Sequence, residues 1–322
     1  MKKLSLLLAI MLLAAMMAGC ENQNTKQRSD KLSVVTTIFP EYDWVKEITK
    51  GNEQIDLTLL LDKGVDLHSF QPTAEDIVKL SSCDLFIYVG GESDAWVKDA
   101  LSEAVNRDMV VLNLMDILQD TVKEEELVEG MEGEAWEEGE EEETEYDEHV
   151  WLSLKNAEMI CQTIAGRLTE LDASHKALYE ENARNYIDSL RTLHQEYEAA
   201  VSKAEHQTLL FGDRFPFRYL VDDYGLSYYA AFAGCSAESE ASFETITFLA
   251  DKADELGLSV ILQIEGTNGK IAETIKETTA GRNQQILTMD SMQAVTEQDI
   301  AAGETYLSIM RKNLEVLKLA LQ

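Results

Sequence analysis

Two of the five histidines stand in settings that could do chemistry. His68 lies in Asp66-Leu67-His68-Ser69-Phe70-Gln71-Pro72-Thr73, just beyond an apolar run. His149 lies in Tyr146-Asp147-Glu148-His149-Val150-Trp151-Leu152, where a strongly acidic stretch meets a new helix. Both fall in loop segments near the ends of predicted elements, where open α/β sheets place ligand-binding groups. Neutral imidazole suits zinc and neighbouring ions, and carboxylates from elsewhere can complete such a pair. Taken alone, the pair leaves metal ligation and mere loop packing both open. His175, His194 and His206 fall on or beside a long helical segment and read as surface or packing residues.

Several other chemistries lack their residues. The chain has no HExxH helix and no GxSxG turn, which argues against a zinc hydrolase or a serine nucleophile, so an enzyme is not expected. No glycine-rich loop opens a helix to cradle a nucleotide. Cys83, Cys161 and Cys235 follow the N-terminal Cys20 without any CxxC spacing, suggesting neither a disulfide scaffold nor a zinc knuckle. Cys83 and Cys161 read as small buried hydrophobes.

The elements that must position the histidines alternate in type. Residues 32–39, 55–61, 85–89 and 110–114 read as buried parallel strands, separated by helical stretches at 42–50, 73–81 and 93–105. The same grammar returns with strands at 208–211, 227–232, 260–264 and 286–289, and helices at 218–223, 243–256, 270–278 and 304–321. The expected fold is α/β: two Rossmann-like lobes with parallel sheets, residues 31–172 and 207–322, joined by a long rigid helix over 173–206. Leu178, Tyr186, Leu190, Leu193, Tyr197 and Val201 mark one face of that helix. Residues 120–148 form an acidic loop with runs at Glu124-Glu125-Glu126 and Glu140-Glu141-Glu142-Glu143. Charge this dense cannot bury a core, so a mobile loop is expected, acting either for solubility or as a collector of cations.

The N-terminus indicates the compartment. Lys2 and Lys3 precede an uncharged apolar run that ends at Met17-Ala18-Gly19-Cys20, the profile of a signal peptide over residues 1–19. The ending resembles the lipobox of bacterial lipoproteins, which makes Cys20 the expected lipidation site, with residues 20–30 a polar tether. Localisation is then the extracytoplasmic face of a bacterial cell membrane, held by a lipid anchor. With 60 acidic against 27 basic residues, the net charge is -33. That field repels nucleic acid and gathers cations.

The whole constellation resembles the zinc- and manganese-binding solute-binding lipoproteins of ABC importers, the ZnuA/PsaA-like family. The likeness rests on Val34-Val35-Thr36-Thr37-Ile38-Phe39-Pro40, the histidine loop from Asp66 to Asp76, and Cys83-Asp84-Leu85. It continues through Asp147 to Leu152, Phe217-Arg218-Tyr219-Leu220, Tyr224-Gly225-Leu226 and Gly234-Cys235-Ser236-Ala237-Glu238. The resemblance implies a monomer that holds a divalent ion in a cleft between its lobes and passes it to a membrane permease.

By position, the resemblance makes His68 and His149 the N-lobe ligands. The family's third donor, a histidine or glutamate, falls on Arg214, whose guanidinium has no lone pair for a metal. Neighbouring Asp213 is the expected substitute, and Asp290 matches the family's fourth, aspartate ligand. Glu265 and Cys235 are reserve donors. The expected ion is zinc, with manganese the alternative. A metal-buffering or adhesion lipoprotein and a zinc hydrolase are the more distant readings.

Overall fold

Proline and a buried carboxylate set where the first strand stops. The strand expected to reach residue 39 ends earlier, at β1 (Leu32–Thr36), because helix α1 (Phe39–Ile48) begins with Pro40 in its first turn. Proline there loses no hydrogen bond the helix needs. Glu41 Oε2 reaches back to accept the backbone N–H groups of Thr37 (2.9 Å) and Ile38 (3.3 Å), closing the turn. The computed structural model describes residues 31–132, 145–236 and 240–322. The expected signal peptide, the tether with Cys20 and the second acidic run of the loop lie outside the described residues.

Among the described residues, eight strands form two sheets of four, with parallel pairing throughout each sheet. In the first, β2 (Ile55–Leu59), β1, β3 (Leu85–Tyr88) and β4 (Val110–Asn113) lie in the order β2-β1-β3-β4. The second repeats that order as β6-β5-β7-β8, from β5 (Thr208–Phe215), β6 (Ser227–Ala233), β7 (Val260–Ile264) and β8 (Gln285–Met289). Both sheets therefore change direction of growth beside their first strand, the place where loops at the carboxyl ends part and ligands bind.

β5 runs further than the four residues expected, and its register shifts between Phe211 and Arg214. A bulge adds a residue and re-aims the side chains beside it. Asp213 and Arg214 thus sit within a strand rather than on a free loop.

The helix joining the sheets is α6 (Lys176–Val201), shorter at both ends than the expected 173–206. Tyr186, Leu190, Leu193, Tyr197 and Val201 are buried along it as the spacing predicts, while Leu178 is only half-buried. It packs against α5 (Leu154–Leu171), the helix that follows His149 and whose extent the sequence pattern left undefined. A single apolar cluster runs from Val34 through both helices to Leu321, so the two sheets share one core. Polar ties cross it: Tyr306 N–H donates to Asp43 (2.9 Å), its hydroxyl donates to the Trp151 carbonyl (2.7 Å), and the Trp151 indole donates to the Ser291 carbonyl (2.8 Å). Buried polar groups joined this closely hold a single geometry. Wide hinge opening would have to break them.

The flanks of the acidic segment are ordered, contrary to the mobile loop expected across its whole length. Glu124 and Tyr146 form an antiparallel bridge at its base. The chain then crosses onto the second sheet: Lys123 N–H donates to the Tyr219 hydroxyl (3.0 Å), Arg218 pairs with Glu126 (3.2 Å), and Glu132 bridges to Phe232 on the edge strand β6. Gly130 makes this crossing feasible. Its φ is +81°, and a Cβ there would run into the Phe248 ring. Residues 122–132 form a strap, pinned by contacts that a count of charges does not reveal.

Candidate metal centre

His68 sits on a single 3₁₀ turn (Leu67–Ser69) capped by Asp66, whose Oδ1 accepts the His68 N–H at 3.0 Å. His149 immediately precedes another such turn (Val150–Leu152), and its own N–H donates to Asp147 Oδ1 at 2.8 Å. An aspartate two residues upstream thus fixes the backbone of each histidine. The rings are fixed as well. Nδ1 of His68 lies 2.7 Å from Ser93 Oγ, and Nδ1 of His149 lies 2.9 Å from Asp147 Oδ1. With each Nδ1 committed to an outer partner, each Nε2 points inward, and the two are 3.2 Å apart.

That separation has chemical content. Two nitrogens bound tetrahedrally to zinc at about 2.0–2.1 Å lie roughly 3.3 Å from each other. Without a cation, two lone pairs so close require one proton between them. Burial, then the nearby His149 charge, pushes His68 down to about 3. At His149, burial opposes the charged ring, but the adjoining Asp147, with Glu148 and Asp66, outweighs it and raises the pKa. A single proton shared between the two Nε2 atoms occupies the position an ion would take. Outer partners that orient imidazoles in this way are typical of metal sites.

The second sheet brings up a sulfur. Cys235 follows β6 directly, and its Sγ lies within 4.8 Å of a ring nitrogen of both His68 and His149, which are themselves within that distance of one another. Gly234 permits the approach, since a Cβ there would come 3.0 Å from the His149 ring and 2.9 Å from the Phe215 carbonyl. Among the described residues this is the one group of three or more histidine, cysteine or acidic side chains arranged to share an ion. A cavity of about 440 Å³ opens beside it, lined by His68, Ser93, Glu125, Glu148 and Cys235 among others.

Asp213, Asp290 and Glu265 lie outside this group, although Asp213 lines a second cavity, of about 450 Å³, together with His68. Asp213 is 8 % exposed; it accepts the Arg214 N–H (2.9 Å) and the Ile264 N–H (3.3 Å), so it ties the β5 bulge to β7. Asp290 Oδ1 caps its own turn by accepting the Met292 N–H (2.8 Å), and burial followed by the Glu265 charge pushes it up to about 7. Glu265 accepts from the Ser291 N–H and hydroxyl (both 2.7 Å) and from the Gln293 N–H (3.1 Å). All three carboxylates hold the loops of the second sheet. Cys235, a reserve donor on sequence grounds, is the second-sheet side chain brought to the histidines.

Arg214 instead reaches from β5 to the first sheet's loop, where its Nη2 lies 2.6 Å from Asp66 Oδ2. Since Asp66 Oδ1 caps the His68 turn, the guanidinium buttresses a histidine-bearing loop across the cleft. The sequence marked Arg214 as unable to ligate. Glu240 or Glu265 is the partner its sequence neighbourhood suggests; the observed partner, Asp66, is instead 148 residues away.

Relatives of this chain are known. It is 32% identical over 324 residues to the high-affinity zinc uptake system protein ZnuA of Bacillus subtilis (strain 168), covering 98% of this chain and 97% of that one. It is 31% identical over 319 residues to the zinc-binding lipoprotein AdcA of Streptococcus pneumoniae R6, and it spans 61% of that longer protein's length. Among solved structures, the metal-dependent lipoprotein YcdH of Bacillus subtilis matches with a TM-score of 0.73 at 28% identity, over 90% of this chain and 99% of the other. The Zn(II)-bound ZnuA-like domain of Streptococcus pneumoniae AdcA matches with a TM-score of 0.70 at 25% identity, over 90% of this chain and 99% of that one. The family model for the periplasmic zinc-uptake complex component A, ZnuA, matches residues 34–320, and the chain belongs to that family.

Proposed function

We propose that this protein captures one zinc ion between His68, His149 and Cys235 on the extracytoplasmic side of a membrane and delivers it to an ABC importer. The observation that carries the reading is the facing pair of Nε2 atoms at 3.2 Å, with the Cys235 sulfur beside them. Two imidazoles and a thiolate form a borderline-soft set. Such a set favours zinc over manganese, which prefers more oxygen and a higher coordination number. Zinc uptake and zinc binding in the named relatives support the same ion.

Capture replaces protons by metal. Zinc entering between the rings displaces the proton held there, and ligation removes the thiol proton of Cys235. Burial, reinforced by Asp147 and Glu125, pushes that thiol up, so it ionises only as the cation arrives. The shared core and its polar ties hold the lobes, which leaves loop ordering rather than wide closure as the response to the ion. Release to a permease then requires only that a contact separate the Cys235 turn from the histidine loops. Asp213 and Asp290 are assigned the role of supporting those loops, and Cys20 that of the membrane tether. The role proposed is capture and delivery rather than hydrolysis, in keeping with the zinc-uptake family to which the chain belongs.

Titration of metal-stripped protein with zinc against a competing chelator tests the reading. One site of high affinity, lost together in His68→Ala and His149→Ala, is expected. Only weak binding that fades with salt would refute it, because that is the behaviour of scattered surface carboxylates.

A further inference from the structure

We infer that Glu125, at the base of the acidic strap, is the fourth donor to the captured ion, so that metal binding pulls the strap onto the site. The inference rests on the His68, His149 and Cys235 reading above and adds a residue from a segment with no assigned role. Glu125 Oε1 accepts the Cys235 N–H at 3.2 Å, and the carboxylate shares the cavity beside His68 and Cys235. It is therefore already next to the one ligand that comes from the second sheet.

The position is built rather than incidental. Glu125 N–H donates to the Glu145 carbonyl (3.0 Å) and Asp147 N–H donates to the Lys123 carbonyl (2.9 Å), so the strand carrying Glu125 is paired with the strand leading into His149. The strap and the His149 loop are two sides of one short ladder. Glu148, the rival carboxylate, faces the other edge of His68. Its Oε1 accepts the Ser93 N–H (2.9 Å), and its Oε2 lies 3.8 Å from Nδ1, away from the Nε2 that meets the ion. Glu125 is thus the acid beside Cys235; its carboxylate is not yet within the His68, His149 and Cys235 group, so ligation requires the strap to move inward.

Charge sets a condition on that contact. Once Cys235 is a thiolate, a carboxylate held against it is repelled unless a cation lies between them. The zinc ion is that cation, and tetrahedral zinc accepts such a fourth oxygen. The strap over residues 122–132 then acts as part of the binding site.

The test compares Glu125→Gln with Glu124→Gln, which makes the same charge change at an exposed neighbour. Zinc affinity is measured by chelator competition, and backbone hydrogen exchange over residues 122–132 is followed with and without zinc. Glu125→Gln is expected to weaken zinc at least about tenfold and to abolish zinc-induced protection of the strap, while Glu124→Gln does neither. Equal small losses in both variants would reduce the effect to general electrostatics and overturn the inference. Unchanged affinity in Glu125→Gln would overturn it too, while leaving a three-ligand zinc site in place. If Glu125→Gln does not fold, the unsubstituted protein still decides: zinc that protects the histidine loops but not residues 122–132 rules out Glu125. Failure of the unsubstituted protein to bind zinc at all would instead overturn the parent reading.

Discussion

Replacing Arg214 by alanine separates two effects of opposite sign. The guanidinium lies 2.6 Å from Asp66, and the side chains of the pair are 19% and 24% exposed, so solvent screens the contact only in part. A hydrogen bond to a charged group contributes roughly 1.5–3 kcal/mol, and partial exposure reduces that to about 1–2 kcal/mol. Asp66 would still cap the His68 turn through Oδ1, so the loop would persist with more freedom. If the pair orders His68 for the ion, Arg214→Ala weakens zinc binding by roughly 5–30-fold, the equivalent of that energy. The opposing effect is electrostatic: Arg214 places a positive charge near His68, and its removal favours any cation. Isothermal titration under chelator competition, with Arg214→Lys as the charge-preserving partner, resolves the two. Weakening in both variants, because lysine lacks the planar fork, supports a positioning role. Tighter binding in Arg214→Ala would show that repulsion dominates and would refute the reasoning.

Three further outcomes follow from the same geometry. Zinc affinity should rise with pH along a slope of about two protons per ion below the raised value of His149 and about one above it, and Cys235→Ser should remove one proton from each limb; proton release measured in two buffers checks this. Glu41 is buried, and that burial, followed by the Asp94 charge, pushes it from 4.5 to about 8. The folded state then keeps a proton that the unfolded state loses, so stability falls as pH rises from about 4.5 to about 8, by roughly 1.4 kcal/mol per pH unit while only one state is protonated. Urea unfolding of Glu41→Gln should show a shallower fall across that window, and an unchanged profile would contradict a protonated Glu41. Gly130→Ala places a methyl group against Phe248 in a left-handed backbone, and it should raise hydrogen exchange across residues 122–132 while leaving the amides of the α6 core protected.

Much of the fold was legible because its signals are local. β7 and two helices, α8 (Phe243–Leu256) and α9 (Lys270–Thr278), begin and end where apolar runs and breakers put them. His68 and His149 stood out through loop position and acidic neighbours. The second-sheet side chains were harder to place, since their direction depends on local backbone irregularity. The bulge in β5 turns Asp213 toward Ile264 and Arg214 toward Asp66, and a one-residue irregularity in a parallel strand leaves little trace in composition. Cys235 was visible as a soft donor, but its approach depends on Gly234 lacking a Cβ against His149. The strap was misjudged as wholly mobile because charge density hides its fixed points. Tyr219, Tyr228 and Phe232 hold it from the second sheet, about a hundred residues further along the chain.

A crystal of zinc-loaded protein, with anomalous differences collected on both sides of the zinc edge, addresses the metal centre itself. The expected result is one strong peak roughly 2.0–2.1 Å from Nε2 of both His68 and His149 and about 2.3 Å from the Cys235 sulfur. A peak bound by Asp213 or Asp290 with Cys235 turned away, or no peak between the imidazoles, would contradict the account.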